Sequence, residues 1–305
     1  MHLNIADCFV ASCLGAAVGE SMGLPAEGLD PGRISSEYGH IDSPLARKDL
    51  ADFSALPAGS IARQTEALIA VLRASAPLPD LQHFASHLKE SFARHPEKWP
   101  RHSTFPWPPF PDEGHYTFAF ALPGAWQMLN GTLDEEGATE WIRSLEPVSV
   151  VWKHGTWIYM RLLHWLYSQN DTTLNKKLYL SKVMAFTEEA EEKFPGDHKM
   201  KRRMQLIEPL LDGELDEIAR ACGGIDQSAQ NVLAFVGAVF YRFGGRFDDA
   251  LIAAVNQGGS SSGVGFYLGS LSAAFGGEAV IPVNWLDMLG EKDRLQQVIR
   301  QYLNR

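Results

Sequence analysis

Apolar residues recur at helical spacing in seven windows: Ile5 to Met22, Arg63 to Ser75, Leu81 to His95, Trp152 to Tyr167, Leu178 to Phe194, Gln227 to Tyr241 and Phe247 to Val255. An apolar side chain at every third or fourth position lays a stripe along one face of a helix, which can then be buried. The alternation that marks a strand is nearly absent. Breakers lie between the windows, as in Leu24-Pro25, Pro57-Ala58-Gly59, Ala76-Pro77-Leu78-Pro79 and Phe243-Gly244-Gly245. The pattern predicts an all-α fold, a single compact domain of many helices over residues 1–305 with mostly short connections. No repeat period, low-complexity tract or shift of composition marks a boundary inside it.

One stretch departs from this pattern. From Pro96 to Pro123, Pro100, Pro106, Pro108, Pro109 and Pro111 are interleaved with Trp99, Phe105, Trp107 and Phe110. Proline removes a helical donor and clashes with the preceding turn, so no helix continues through it. The segment reads as a long ordered loop, either a lid over a site or a strap over the core. The strap is favoured because the aromatic side chains gain most from burial.

With 45% hydrophobic and 10% aromatic residues, the 305-residue chain has ample material for a core. A net charge of −10 argues against binding nucleic-acid phosphates. The one basic run, Lys199 to Arg203, follows the acidic run Glu188 to Glu192, and the two read as opposing solvated helix faces. Cys8, Cys13 and Cys222 form no zinc-type pair and leave an odd thiol, which suits core positions and a reducing cytoplasm. Asp7 and Glu20 interrupt the apolar stretch from Ala6 to Leu24, so neither a signal peptide nor a membrane span is expected.

Several segments carry a family resemblance, in chain order. Cys13-Leu14-Gly15-Ala16-Ala17-Val18-Gly19-Glu20-Ser21-Met22-Gly23, followed by Glu27, is a small-residue helix with nearby acids. Asn256-Gln257-Gly258-Gly259-Ser260-Ser261-Ser262-Gly263-Val264-Gly265 is followed by Gly276-Gly277, Ile281-Pro282 and Trp285. Gln227 to Phe235 and Phe247 to Leu251 lead into that loop. The chain resembles the ADP-ribosylglycohydrolase family, whose corresponding motifs read Gly-x-x-x-Gly-Asp-Ala-x-Gly and Asn-x-Gly-Gly-Asp-Thr-Asp-Thr-Ile-Gly. The resemblance implies a compact, orthogonal multi-helix domain and a pocket for ADP-ribose or a ribosylated ligand.

The departures from the family lie at its metal ligands. Ala62-Arg63-Gln64-Thr65 falls where the family has Thr-Asp-Asp-Thr, and only Thr65 survives. Ser260, Ser261, Ser262 and Gly263 replace the second acidic cluster. Gly114 to Pro123 aligns with a glycine-rich ligand segment, and His154 with a Thr-His pair. Mg²⁺ requires hard oxygen ligands with formal charge, so no metal and no cofactor is expected here. Arg63 would instead supply fixed positive charge, either to a phosphate or, as favoured, to Glu20 or Glu27.

Gly258 to Gly263, with a helix from Val264, has the makings of an anion nest, and equally of a ligand-free turn. The expected ligand-binding residues are Glu27, Arg63, Gln64, Thr65, His115, Tyr116, Gly258, Gly259, Ser260, Ser261, Ser262 and Gly263. Should any glycosidic chemistry remain, Glu20, Glu113 and His154 are the candidate acids and bases. Three functions are weighed: binding of a nucleotide or ribosylated small molecule without Mg²⁺-dependent hydrolysis, a metal-independent N-glycosidic hydrolase or transferase, and a non-catalytic, immunity-type scaffold for a protein partner. Neither nucleic acid nor membrane is expected as a partner.

Overall fold

The computed structural model describes residues 4–74, 80–101, 117–145, 148–169 and 173–305. Fifteen α-helices lie among them. The first eight are α1 Ile5–Gly23, α2 Pro31–Tyr38, α3 Arg63–Ala74, α4 Leu81–Arg94, α5 Ala121–Leu129, α6 Glu135–Ser144, α7 Val150–Tyr167 and α8 Lys176–Lys193. The rest are α9 Lys199–Ile207, α10 Leu215–Ala221, α11 Ala229–Phe243, α12 Phe247–Val255, α13 Ser261–Gly276, α14 Val283–Met288 and α15 Lys292–Leu303. Extended pairing among these residues is limited to two isolated bridges, Arg47 with Leu56 and Phe53 with Pro100. The predicted all-α class is what the chain adopts.

At the centre, α1 and α13 cross without the usual side-chain layer between them. A Cβ on Gly15 would stand 2.5 Å from the Gly269 carbonyl oxygen, one on Gly19 1.9 Å from that of Gly265, and one on Gly23 2.1 Å from that of Ser261. The pairs run in opposite directions along the two helices, so the helices are antiparallel and touch backbone to backbone. Sequence order then dictates that the C-terminal end of α1, with Glu20, meets the N-terminal end of α13, with Ser261 and Ser262. By length and composition alone, Ile5–Ala26 is apolar enough to cross a bilayer, but 78% of its 18-residue apolar window is buried inside the fold.

A continuous apolar cluster reaches from Cys8 in α1 to Tyr302 in α15. All three cysteines are buried in it, and burial pushes the Cys222 thiol up to about 12. Trp99 is buried as well, its ring 5.6 Å from that of Phe92, as a strap residue would be. Phe105, Trp107 and Phe110 lie outside the described residues. The opposing charge runs pair within the chain: Lys201 lies 3.9 Å from both Glu188 and Glu191, and His198 Nδ1 lies 3.0 Å from Glu191.

Candidate functional site

Helix α3 begins after Ala62, which has no side-chain oxygen to cap the first-turn amides. Glu20, fully buried on α1, performs that task from another helix. Its Oε2 accepts from the amides of Ala62 at 2.9 Å and Thr65 at 3.1 Å, and its Oε1 from that of Gln64 at 2.8 Å. The Gln64 side chain bridges onward, its amide nitrogen 2.5 Å from Glu20 Oε1 and its oxygen 3.2 Å from Arg63 Nε, the orientation that satisfies both partners. Burial pushes the Glu20 carboxyl above its ordinary range, and the hydrogen bonds donated from the start of α3 pull it back.

Glu27 is the second buried acid. Arg63 Nη2 donates to its Oε1 at 2.8 Å, and the Ser262 amide, in the first turn of α13, donates to its Oε2 at 2.8 Å. Arg63 is 6% exposed and Glu27 1%. The internal pairing expected for Arg63 is therefore present, with Glu27 rather than Glu20 as the partner. A fourth charge was not anticipated: Arg47, 2% exposed, donates to the carbonyl oxygens of Ser54 and Glu97 at 2.8 and 2.9 Å. Burial lowers its pKa to about 10; Glu27 and Glu20 oppose that shift and Arg63 adds to it, so the four groups share one electrostatic environment.

The glycine-serine loop is folded against its own chain. Gly258 and Gly259 take φ of 73° and 66°, and a Cβ on Gly258 would stand 2.0 Å from the Leu29 carbonyl oxygen. The amides of Gly258, Gly259 and Ser260 donate to Val255, Leu29 and Ile225, and the Ser261 hydroxyl donates to the Gly23 carbonyl at 2.7 Å. The helix starts at Ser261, three residues before the expected Val264, because Ser260 to Ser262 are buried against α1. Among these loop residues, the Ser262 amide faces a carboxylate from within the chain, that of Glu27.

The fold brings Glu20, Glu27, Arg63, Gln64, Thr65 and the 258–263 loop together, as the motifs predicted. It places His154 otherwise. That histidine sits inside α7, where its Nε2 lies 2.7 Å from the Phe194 carbonyl oxygen and burial lowers its pKa. A neutral ring donating to a carbonyl is a packing element. Glu113, His115 and Tyr116 lie outside the described residues. Among the described residues, no three His, Cys, Asp or Glu side chains converge as a metal-ligand group.

A separate open cleft of about 360 Å³ lies where the starts of α7, α9 and α11 meet, lined by Ser149, Trp152, Lys199, Ser228 and Gln230 among others. Ser149 and Ser228 hold the N-cap positions of α7 and α11, yet neither caps its helix through its hydroxyl. The first-turn amides of those helices carry partial positive charge, and the Asp226 carboxylate, which accepts from the Ser228 amide at 3.0 Å, lies beside the start of α11 in the same cleft.

These features define an all-helical protein built on a glycine-packed helix pair, with a buried, charge-paired cluster at the pair's end. The ADP-ribosylglycohydrolase family matches residues 154–305. A solved structure described as an "ADP-ribosylglycohydrolase-related protein complex" superposes with a TM-score of 0.69 at 18% identity, covering 98% of each chain. No curated protein matches the chain. The protein is thus ADP-ribosylglycohydrolase-like, by sequence over its C-terminal half and by fold throughout.

Proposed function

We propose that this ADP-ribosylglycohydrolase-like protein recognises ADP-ribose or a related ribosylated nucleotide and does not carry out Mg²⁺-dependent hydrolysis. The ion pair between Arg63 and Glu27, 2.8 Å long, carries this reading. By resemblance, the family holds two Mg²⁺ ions in this region on aspartates. The residues here do not fit such a centre: both Glu27 oxygens are engaged, Glu20 is spent on the amides of α3, and Ser260 and Ser262 offer only neutral hydroxyls. A guanidinium beside them repels a divalent cation. The same geometry counts against Glu20 and His154 as acid or base in a metal-independent hydrolase.

We assign the ligand's seat to the cleft between α7, α9 and α11. The starts of α7 and α11 and Lys199, which pairs with Asp197 at 2.8 Å, suit the anionic part of a nucleotide placed away from the Asp226 carboxylate that also lines the cleft, Trp152 suits a ring, and a volume of about 360 Å³ lies in the range of small-molecule sites. ADP-ribose should raise the thermal midpoint as much in EDTA as in Mg²⁺, and Lys199→Glu should abolish the rise. ADP-ribosylated peptide should release no ADP-ribose in either buffer. Release that depends on Mg²⁺ would overturn the proposal.

A second reading, a scaffold for a protein partner, is favoured by one observation: the amides of the glycine-serine loop are already taken by the chain itself. Absence of any ligand-induced shift, with no turnover, would leave this reading standing.

A further inference from the structure

One stretch of the cleft between α7, α9 and α11 is formed by Asp226, Gln227 and Ser228. The chain reaches it through three successive left-handed residues, Gly223, Gly224 and Ile225, with φ of 64°, 72° and 58°. Glycine adopts this backbone freely, but a β-branched residue does so only under strain. Ile225 is held there by its full burial and by the Ser260 amide, which donates to its carbonyl oxygen at 2.8 Å. Asp226 follows directly. Its Oδ1 accepts from the Ser228 amide at 3.0 Å, from the Ser228 hydroxyl, and from the Asn231 side-chain amide at 2.9 Å. That single oxygen closes the turn into α11. Oδ2 accepts from no group among the described residues. Burial would raise the carboxyl's pKa, but hydrogen bonds from Ser228 and Asn231, with the charge of Arg203, hold it below the ordinary range. Asp226 is therefore ionised at neutral pH.

An ionised carboxylate accepts hydrogen bonds and donates none, so a ligand group beside Oδ2 must bring a donor and no negative charge. Phosphates are thereby excluded from that end of the cleft. A base edge alternates donors and acceptors, which the side-chain amides of Gln227 and Gln230 match. The sugar hydroxyls remain. We infer that Asp226 reads the ribose: its Oδ2 accepts from the 2′-hydroxyl of the nucleoside, and its charge bars a phosphate from the same carbon. An acidic residue on the ribose is also how dinucleotide sites separate free from phosphorylated sugars. The cleft then takes nucleotides with a free 2′-hydroxyl and discriminates against 2′-deoxy and 2′-phosphorylated ones. The inference rests on the reading that this cleft seats a nucleotide. It also gives the strain at Ile225 a role, since the left-handed turn sets the position of the carboxylate that follows it.

The test titrates three ligands into the full-length chain in EDTA by isothermal calorimetry: ADP-ribose, its analogue with 2′-deoxyadenosine, and its analogue with a 2′-phosphate on the adenosine. Wild type should bind ADP-ribose about 10- to 100-fold more tightly than either analogue, the range expected of a hydrogen bond to a charged group. Asp226→Asn keeps an oxygen for Ser228 and Asn231 and puts a donor where Oδ2 was. That variant should bind the 2′-phosphate analogue at least as tightly as ADP-ribose. Wild type that binds all three alike, or Asp226→Asn that keeps the wild-type preference, would overturn the inference while leaving the nucleotide reading intact. Wild type that binds none of the three overturns that reading, and the inference with it. If Asp226→Asn does not fold, the comparison of the three ligands on wild type decides alone.

Discussion

Arg63 Nη2 lies 2.8 Å from Glu27 Oε1, while the other Glu27 oxygen accepts the Ser262 amide at the same distance. One carboxylate thereby ties the start of α3 to the start of α13, each helix contributing a donor. Neither helix could present an unpaired charge there without a large desolvation cost.

Breaking this pair from one side should therefore cost more than replacing both sides. Arg63→Met or Glu27→Leu alone should lower stability by about 3–5 kcal/mol, because each leaves a lone buried charge. The double variant should recover much of that loss, giving a coupling of at least about 2 kcal/mol. Urea denaturation in EDTA measures all four corners of the cycle. Additive effects would mean that the two side chains stabilise the fold independently.

The glycines of α1 and α13 determine whether that junction exists at all. Gly19→Ala or Gly265→Ala would drive a methyl group to within about 2 Å of a backbone oxygen, where no side chain can yield. Each should cost about 3 kcal/mol despite the better helix propensity of alanine. Gly237 on α11 is the control, since its Cβ would meet only the Tyr179 hydroxyl at an ordinary 3.4 Å. Gly237→Ala should be neutral or stabilising by up to about 1 kcal/mol, as read from the same denaturation curves.

Much of this organisation was legible in the sequence. The window at Phe247 to Val255 coincides with α12, and the other six lie within two residues of a helix at each end. What escaped has physical reasons. Helix α13 carries Gly263, Gly265, Gly269 and Gly276, a composition of low intrinsic propensity that becomes helical because the glycines let it press against α1. Helix α2 buries little beyond Ile34, too little for a periodic signal. The buried face of α15 (Leu295, Val298, Ile299 and Tyr302) has regular helical spacing and was readable. At the site, the motifs located Glu20, Glu27, Arg63 and the serine loop. Arg47 had no such signal, because a loop arginine earns its role only through the chain that folds over it.

Glu20 offers a test of capping at a distance. Glu20→Gln keeps the shape but turns one acceptor oxygen into a donor facing a backbone amide of α3. Loss of about 2–3 kcal/mol is expected, with hydrogen exchange accelerated first at Gln64 and Thr65. Uniform acceleration across the chain, without a local effect at α3, would argue that Glu20 does not specifically hold that helix end.

Glu66, one residue past Thr65 and 1% exposed, gives the acid limb of the stability profile. Burial alone would raise its pKa, but hydrogen bonds and charge from Arg294 and Lys98 outweigh that and hold it at about 2, against an ordinary 4.5. Arg294 donates to both Glu66 oxygens at 2.8 Å, and Lys98 to Oε1 at 2.6 Å, so α3, α15 and the segment before Trp99 meet on one carboxylate. Since the native value lies below the unfolded one, the unfolded chain binds the proton first as pH falls. The stabilisation is therefore complete above pH 4.5 and disappears as pH drops towards 2, about 3 kcal/mol in all. Glu66→Gln should be less stable than wild type at neutral pH by at least that amount, since it also leaves Lys98 and Arg294 short of countercharge. Denaturation midpoints followed from pH 7 down to about 2 should show the two proteins converging at the acid end. Parallel curves with a constant gap would mean that Glu66 contributes through packing and not through its charge.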